Sequence, residues 1–196
     1  MKNMQQKIKE TLKQSVLLKL QIIDNKPLID TITNVSKELI YLFKKDQKVL
    51  FCGNGGSAAD AQHLATELSG RFYLERAPLF AEALSTNTSF LTAVGNDYNF
   101  DTIFARAVAA KGREGDALIA ISTSGKSKNV LNAIAAAKEK NMLIIGMTGE
   151  KGGKMLGLCD YLIQIPSKDT PRIQEAHILI GHIICELVEA ELFGKK

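Results

Sequence analysis

The feature that most constrains this chain is a change of texture at Lys48. From there to Ile165, short apolar runs alternate with stretches of helical pattern. The runs Val49–Cys52, Leu79–Leu84, Ala117–Ser122, Met142–Met147 and Tyr161–Ile165 are too short for stable helices, and they are expected as five strands. Helices are expected near residues 57–69, 88–112, 127–141 and 152–158, with a long terminal helix from Pro171 to Phe193. Apolar strands separated by helices call for a parallel sheet buried on both faces. Right-handed crossovers then give an α/β, doubly wound sheet sandwiched by helices. In such a fold ligands bind beyond the carboxyl ends of the strands.

Ahead of the sheet, the first 47 residues contain no glycine and read as two amphipathic helices. Leu12, Val16, Leu17, Leu20 and Ile23 recur at helical spacing, Asn25-Lys26-Pro27 interrupts them, and Ile29, Ile32, Val35, Leu39, Ile40 and Phe43 resume the pattern. Such a pair either covers the sheet of its own subunit or joins subunits. The expected division is a helical arm over 1–47 and one compact catalytic domain over 48–196.

Composition narrows the function classes. With 45% hydrophobic and 23% charged residues, the chain is neither disordered nor fibrous. A net charge of +4 without basic runs, 6% aromatics and no Trp argue against a nucleic-acid partner but suit a small anionic ligand. Cys52, Cys159 and Cys185 have apolar neighbours and are expected as reduced, buried thiols. No apolar stretch approaches the roughly 20 residues that span a membrane, and the segment Met1–Glu10 is too polar for a signal peptide. A cytoplasmic protein without a membrane partner is expected.

Two loops carry the chemistry. After the first strand, Gly53-Asn54-Gly55-Gly56-Ser57-Ala58 fits the dinucleotide pattern G-x-G-x-x-A, but Glu82, the acidic residue in range for a ribose, lies inside the second strand. A tight strand-to-helix turn explains the same glycines, so no nucleotide cofactor is expected. After the third strand, Ala120 to Ser127 nearly matches a triphosphate loop. Ala120 replaces its first glycine, and the strand runs on through Ile121, leaving too little loop to wrap two phosphates. What remains is a cluster of hydroxyls, Ser122, Thr123, Ser124 and Ser127, at a helix N-terminus, a fitting cradle for one phosphate. A helix cap explains one of these hydroxyls but not four.

The segment CGNGGSAADAQHLATELSGR, the Gly95-Asn96-Asp97 triplet, AISTSGKS and the late RIQEAHILIGH together resemble the sugar isomerase (SIS) family, and within it the phosphoheptose isomerases. The resemblance covers nearly the whole chain. It implies a flavodoxin-like fold, a homotetramer, and conversion of sedoheptulose 7-phosphate to D-glycero-D-manno-heptose 7-phosphate through an enediol, on the way to lipopolysaccharide or related surface glycans. His63 and Glu67, four apart, share a helix face, while Gln174 and His182 lie about 80° apart on the terminal helix. His177 falls on the far side of Gln174. Taken alone, a His-x-x-x-Glu pair is a common surface contact, and His182 with Glu186 makes another to which no role is given.

By resemblance, Glu67 moves the carbon proton and His182 serves the oxygens as acid and base. The family also binds zinc at the positions of His63, Glu67, Gln174 and His182, which implies one zinc per subunit. Asn54, Gly55, Gly56, Asn96, Asp97 and Gln174 are implied as further sugar contacts, with Ser122, Thr123, Ser124 and Ser127 holding the phosphate. Gly-Asn-Asp is also good turn chemistry. Pro171 stands where some relatives carry Asp or Ala, and proline suits the first turn of a helix. Two rival functions remain: a non-catalytic SIS protein that binds a replication initiator, and an isomerase of another sugar phosphate. Glu67 and His182 are what the non-catalytic relative lacks.

Overall fold

Along each strand successive side chains point to opposite faces, and because nearly all are apolar, both faces must be covered. A computed structural model describes residues 2–194; Met1, Lys195 and Lys196, which the expected segments include, lie outside the described residues. The strands are β1 (Val49–Gly53), β2 (Ala81–Ala83), β3 (Ala117–Ile121), β4 (Leu143–Gly149) and β5 (Tyr161–Ile165). They form one sheet in the order β2-β1-β3-β4-β5 with every neighbour parallel, as the alternation of strands and helices implies.

The helices are α1 (Lys2–Asp24), α2 (Lys26–Lys44), α3 (Gly56–Ser69), α4 (Thr88–Asp97), α5 (Ile103–Lys111), α6 (Lys128–Glu139) and α7 (Thr170–Phe193). On one face Val49, Phe51, Ile119, Ile121, Ile145 and Met147 pack with α2, α3 and α7. On the other, Leu50, Cys52, Leu118, Ala120 and Ile144 pack with α4, α5 and α6. The N-terminal helices divide their work. α2 starts where the Asn25 side chain accepts a hydrogen bond from the Leu28 N–H at 3.1 Å, with Pro27 in its first turn. It buries Leu28, Ile32, Val35, Leu39, Leu42 and Phe43, whereas α1, among the described residues, buries only Leu18 and Ile22 and leaves Met4, Ile8, Leu12, Val16, Leu20 and Ile23 exposed.

Three expectations need correction. The helix expected over 88–112 is broken: α4 stops at Asp97, Asn99 is extended, and a single 3₁₀ turn (Phe100–Thr102) leads into α5. Gly95-Asn96-Asp97 stays helical as the last turn of α4, and the chain leaves the helix at Tyr98 and Asn99. The stretch 152–158 holds only a 3₁₀ turn (Gly153–Met155), because Gly152, Gly153 and Gly157 adopt left-handed φ values of 64°, 58° and 73°. Of the cysteines, Cys52 and Cys185 are buried, but Cys159 is only half-buried. Burial pushes all three thiols up to about 12, so none is an activated nucleophile. Among the described residues no helix is long and apolar enough to cross a membrane.

One buried polar group makes the fold sensitive to acid. His177 on α7 has no exposed surface, and one ring nitrogen, Nε2, lies 3.3 Å from the Thr148 carbonyl oxygen. Burial lowers its pKa from 6.5 to about 4. Between those values the unfolded chain binds the proton that the folded chain refuses, so stability falls as pH drops through that window, by up to about 3 kcal/mol. Urea unfolding at pH 7 and pH 4.5 should show this loss, and His177→Leu should show a smaller pH dependence. Equal slopes in both proteins would remove His177 as the cause.

Candidate active site

The strand order reverses beside β1, whose neighbours β2 and β3 carry the chain in opposite directions across the sheet. Gly53 pairs with Ile121, so the loops after β1 and β3 leave the sheet side by side at this switch point. The glycine loop turns into α3 at Gly55, whose φ is +55°. The hydroxyl loop turns into α6 after Ser127.

Along α3, His63 and Glu67 share one face, and the His63 Nε2 lies 3.0 Å from Glu67 Oε1. From α7, His182 brings its Nε2 to 2.9 Å from that of His63, with the rings tilted and their centroids 4.9 Å apart. The carboxylate and the two imidazoles can thus direct ligand atoms that all lie within 4.8 Å of one another. They stand beside a cleft of about 510 Å³ lined by Gly55, Ala58, Ala59, Gln62, Thr66, His63 and Glu67. Two nitrogens bound tetrahedrally to one zinc sit about 3.3 Å apart, close to the spacing here. The donor set therefore fits a small borderline cation.

α7 comes this close to α3 because residue 181 has no side chain. A β-carbon on Gly181 would lie 2.5 Å from both methyl carbons of Leu64, which is itself buried. Gln174 reaches the N-terminal end of α3: its Nε2 would lie 2.3 Å from a β-carbon at Gly56. Gln174 is thereby brought against the glycine loop, while His63, Glu67 and His182 meet further along α3. His177 points elsewhere, into the core, and Glu186 is exposed.

In the hydroxyl loop, Ser127 occupies the N-cap position of α6 but makes no capping hydrogen bond. Its Oγ lies 3.0 Å from the Oγ of buried Ser122 instead. Ser124 accepts a hydrogen bond from the Lys126 N–H at 3.2 Å. The ordinary capping explanation thus fails even for Ser127. Gly125 has a φ of +63° and its carbonyl accepts from the Lys154 N–H at 2.8 Å, which seats the loop on the segment after β4.

Asn96 and Asp97 are not drawn into the cluster. They end α4, exposed, with Asn96 Nδ2 donating to Asp97 Oδ1 at 3.0 Å. Asn54 has an unexpected partner: it exchanges two amide hydrogen bonds, of 2.9 and 2.8 Å, with buried Asn129 at the start of α6. This pair ties the glycine loop to the hydroxyl loop. Glu82, once a ribose-binding candidate, is paired with Lys111. Asp60 lies one turn before His63 on α3. One of its carboxylate oxygens is buried without a partner, and burial raises its pKa to about 6 against the opposing pull of His63. Its place three residues before His63 was the only signal in the sequence.

A family model for the SIS domain matches residues 14–149. The chain belongs to the SIS domain family. It is 54% identical over 195 residues to phosphoheptose isomerase 2 of Campylobacter jejuni, covering 100% of this chain and 97% of that one. It is 50% identical over 189 residues to the phosphoheptose isomerase of Aneurinibacillus thermoaerophilus, with 96% of each covered. Among solved structures, the phosphoheptose isomerase of Neisseria gonorrhoeae superposes with a TM-score of 0.90 at 41% identity, over 95% of this chain and 99% of that chain. That of Francisella tularensis gives 0.89 at 38%, over 93% and 96%. The five-stranded SIS fold and the isomerase class follow.

The α3–α7 contact can be tested directly. Gly181→Ala gains about 1 kcal/mol of helix propensity but overpacks Leu64, at a cost of about 1–3 kcal/mol. A net loss of about 1 kcal/mol in denaturant unfolding is expected, and a crystal structure should show the Nε2 atoms of His63 and His182 further apart. Unchanged stability with unchanged spacing would mean that Leu64 yields freely and Gly181 holds nothing together.

Proposed function

We propose that this chain is a phosphoheptose isomerase that converts sedoheptulose 7-phosphate to D-glycero-D-manno-heptose 7-phosphate. The observation that carries the reading is the meeting of Glu67 from α3 with His182 from α7, beside a cleft that Glu67 and His63 line, in a chain whose hydroxyl loop leaves the sheet next to the loop that begins α3. The near-complete coverage of phosphoheptose isomerases at about half identity supports the substrate.

The residues divide by the needs of the reaction. Ser122, Thr123, Ser124 and Ser127, with the N-terminus of α6, hold the phosphate. Asn54, Gly55, Gly56 and Gln174 line the sugar chain, with Asn96 and Asp97 as outer contacts. At the carbonyl end Glu67 takes the proton from C1 and returns it to C2. His182 donates a proton to the C2 oxygen and accepts one from the C1 oxygen, so the enediol forms and collapses without net proton change. His63 bridges the two groups and fixes the ring of His182.

His63, Glu67, Gln174 and His182 would hold one zinc, which would supply a Lewis acid that polarises the carbonyl and offsets oxyanion charge. The exposed apolar side of α1 and the exposed Leu179, Ile183 and Leu187 of α7 support a homotetramer with sites near subunit boundaries. The setting of the reaction is the cytoplasm, with the product destined for lipopolysaccharide or another surface glycan.

Purified protein incubated with sedoheptulose 7-phosphate, with and without added zinc, should form the aldose. Glu67→Gln should remove activity by at least about 100-fold while far-UV circular dichroism stays that of the wild type. No turnover in the wild type, or wild-type rates in the variant, would contradict the assignment. Ser124→Ala should raise KM about tenfold, the loss of one hydrogen bond to a charged group, with kcat changed little. An unchanged KM would take Ser124 out of the phosphate site.

A further inference from the structure

The contact that joins the acid to the imidazoles continues further along α7. Glu189 lies seven residues after His182, two turns along nearly the same helix face, yet this carboxylate is only 2% exposed. It accepts hydrogen bonds from the backbone N–H groups of Phe72, Tyr73 and Leu74 at 2.9, 2.6 and 2.7 Å, and from Arg76 Nε at 2.9 Å. The Arg76 side chain, 1% exposed, donates in turn to the carbonyl oxygens of Glu67, Leu68, Gly70 and Ala77 at 2.8, 2.8, 3.2 and 3.0 Å. Glu67 and Leu68 belong to the last turn of α3, where helix carbonyls have no partner within the helix. The ring of Phe72, whose N–H the carboxylate holds, packs 5.7 Å from the ring of His182.

Burying an ion pair is a poor way to gain stability, because desolvation offsets most of the attraction. A fully satisfied pair does fix geometry, since every donor and acceptor has one arrangement that leaves none unpaired. We propose that Arg76 and Glu189 are positioning residues for the isomerisation. Together they lock the end of α3 against α7 and set Phe72 beside His182, so that Glu67 and His182 meet at the carbonyl end of the substrate. The inference rests on the acid–base roles proposed above for those two residues.

The test uses the full chain and sedoheptulose 7-phosphate. Arg76→Lys keeps the charge but loses the planar fork that reaches four carbonyls. Glu189→Gln keeps the shape but turns one acceptor into a donor facing donors. Both are assayed at a temperature where circular dichroism shows them folded. The expected result is a kcat lowered on the order of 10- to 100-fold, with KM and the inhibition constant of inorganic phosphate within about threefold of wild type. Phosphate reports on the Ser122–Ser127 loop, which the ion pair does not touch. Phe72→Leu spares the pair and removes only the ring beside His182. It should lower kcat about tenfold at constant KM, and it decides the matter if the polar variants do not fold. Wild-type kcat in these variants overturns the inference, as does an equal loss of phosphate affinity, which would mark a general loosening. A wild-type chain with no turnover would overturn the proposed function and this inference with it; an active wild type with indifferent variants overturns the inference alone.

Discussion

The site depends on how closely α7 lies against α3. One helix carries a carboxylate and an imidazole, the other a second imidazole, and neither has a constellation by itself. At Gly181 the missing side chain lets Leu64 fill the space between the helices, and the neighbouring residue His182 is thereby delivered to His63. Packing energy from an apolar contact is thus converted into the spacing of polar groups. Interiors pack too densely to absorb an added methylene without strain, so that spacing is a stiff property of the fold.

The sheet supplies the other dimension. Because β1 and β3 are neighbours in register, their two loops stand side by side, and the double amide bond between Asn54 and Asn129 joins them. A phosphate on the hydroxyl loop, as proposed, would lie at the N-terminus of α6. The unsatisfied capping role of Ser127 fits this use. Its hydroxyl is paired with Ser122 beside the helix end, leaving the helix N-terminus to attract an anion.

Much of this was legible in the residues before any coordinates. The five strands, the parallel pairing and both loops follow from local patterns of period and composition. The pairing of His63 with Glu67 follows from helix geometry, and the distance of His177 from the cluster follows from its angle around α7. Local patterns fail where partners are remote in sequence. Asn54 and Asn129 are 75 residues apart, and Glu189 meets Phe72 from 117 residues away. Nothing in either neighbourhood announces the other. Asp60 was hidden for a related reason, since a carboxylate near a helix start reads as a solvated residue until its burial is seen. The break within 88–112 falls at Tyr98 and Asn99, just after the Gly-Asn-Asp triplet, whose poor helix formers lie in the last turn of α4.

The choice between an enzyme and a binding protein built on the same fold turns on cost. A chain that only recognised a sugar phosphate would need the hydroxyl loop and a fitted cleft. It would gain nothing from two half-exposed imidazoles held at 2.9 Å with a carboxylate alongside, because ordering three side chains into one arrangement costs conformational entropy. Such crowding persists where the groups must pass protons or share a cation. The arrangement here concentrates that cost where α7 meets α3, beside the cleft that His63 and Glu67 line. A tail-binding loop without this cluster would describe a receptor. The presence of both in one chain describes a catalyst.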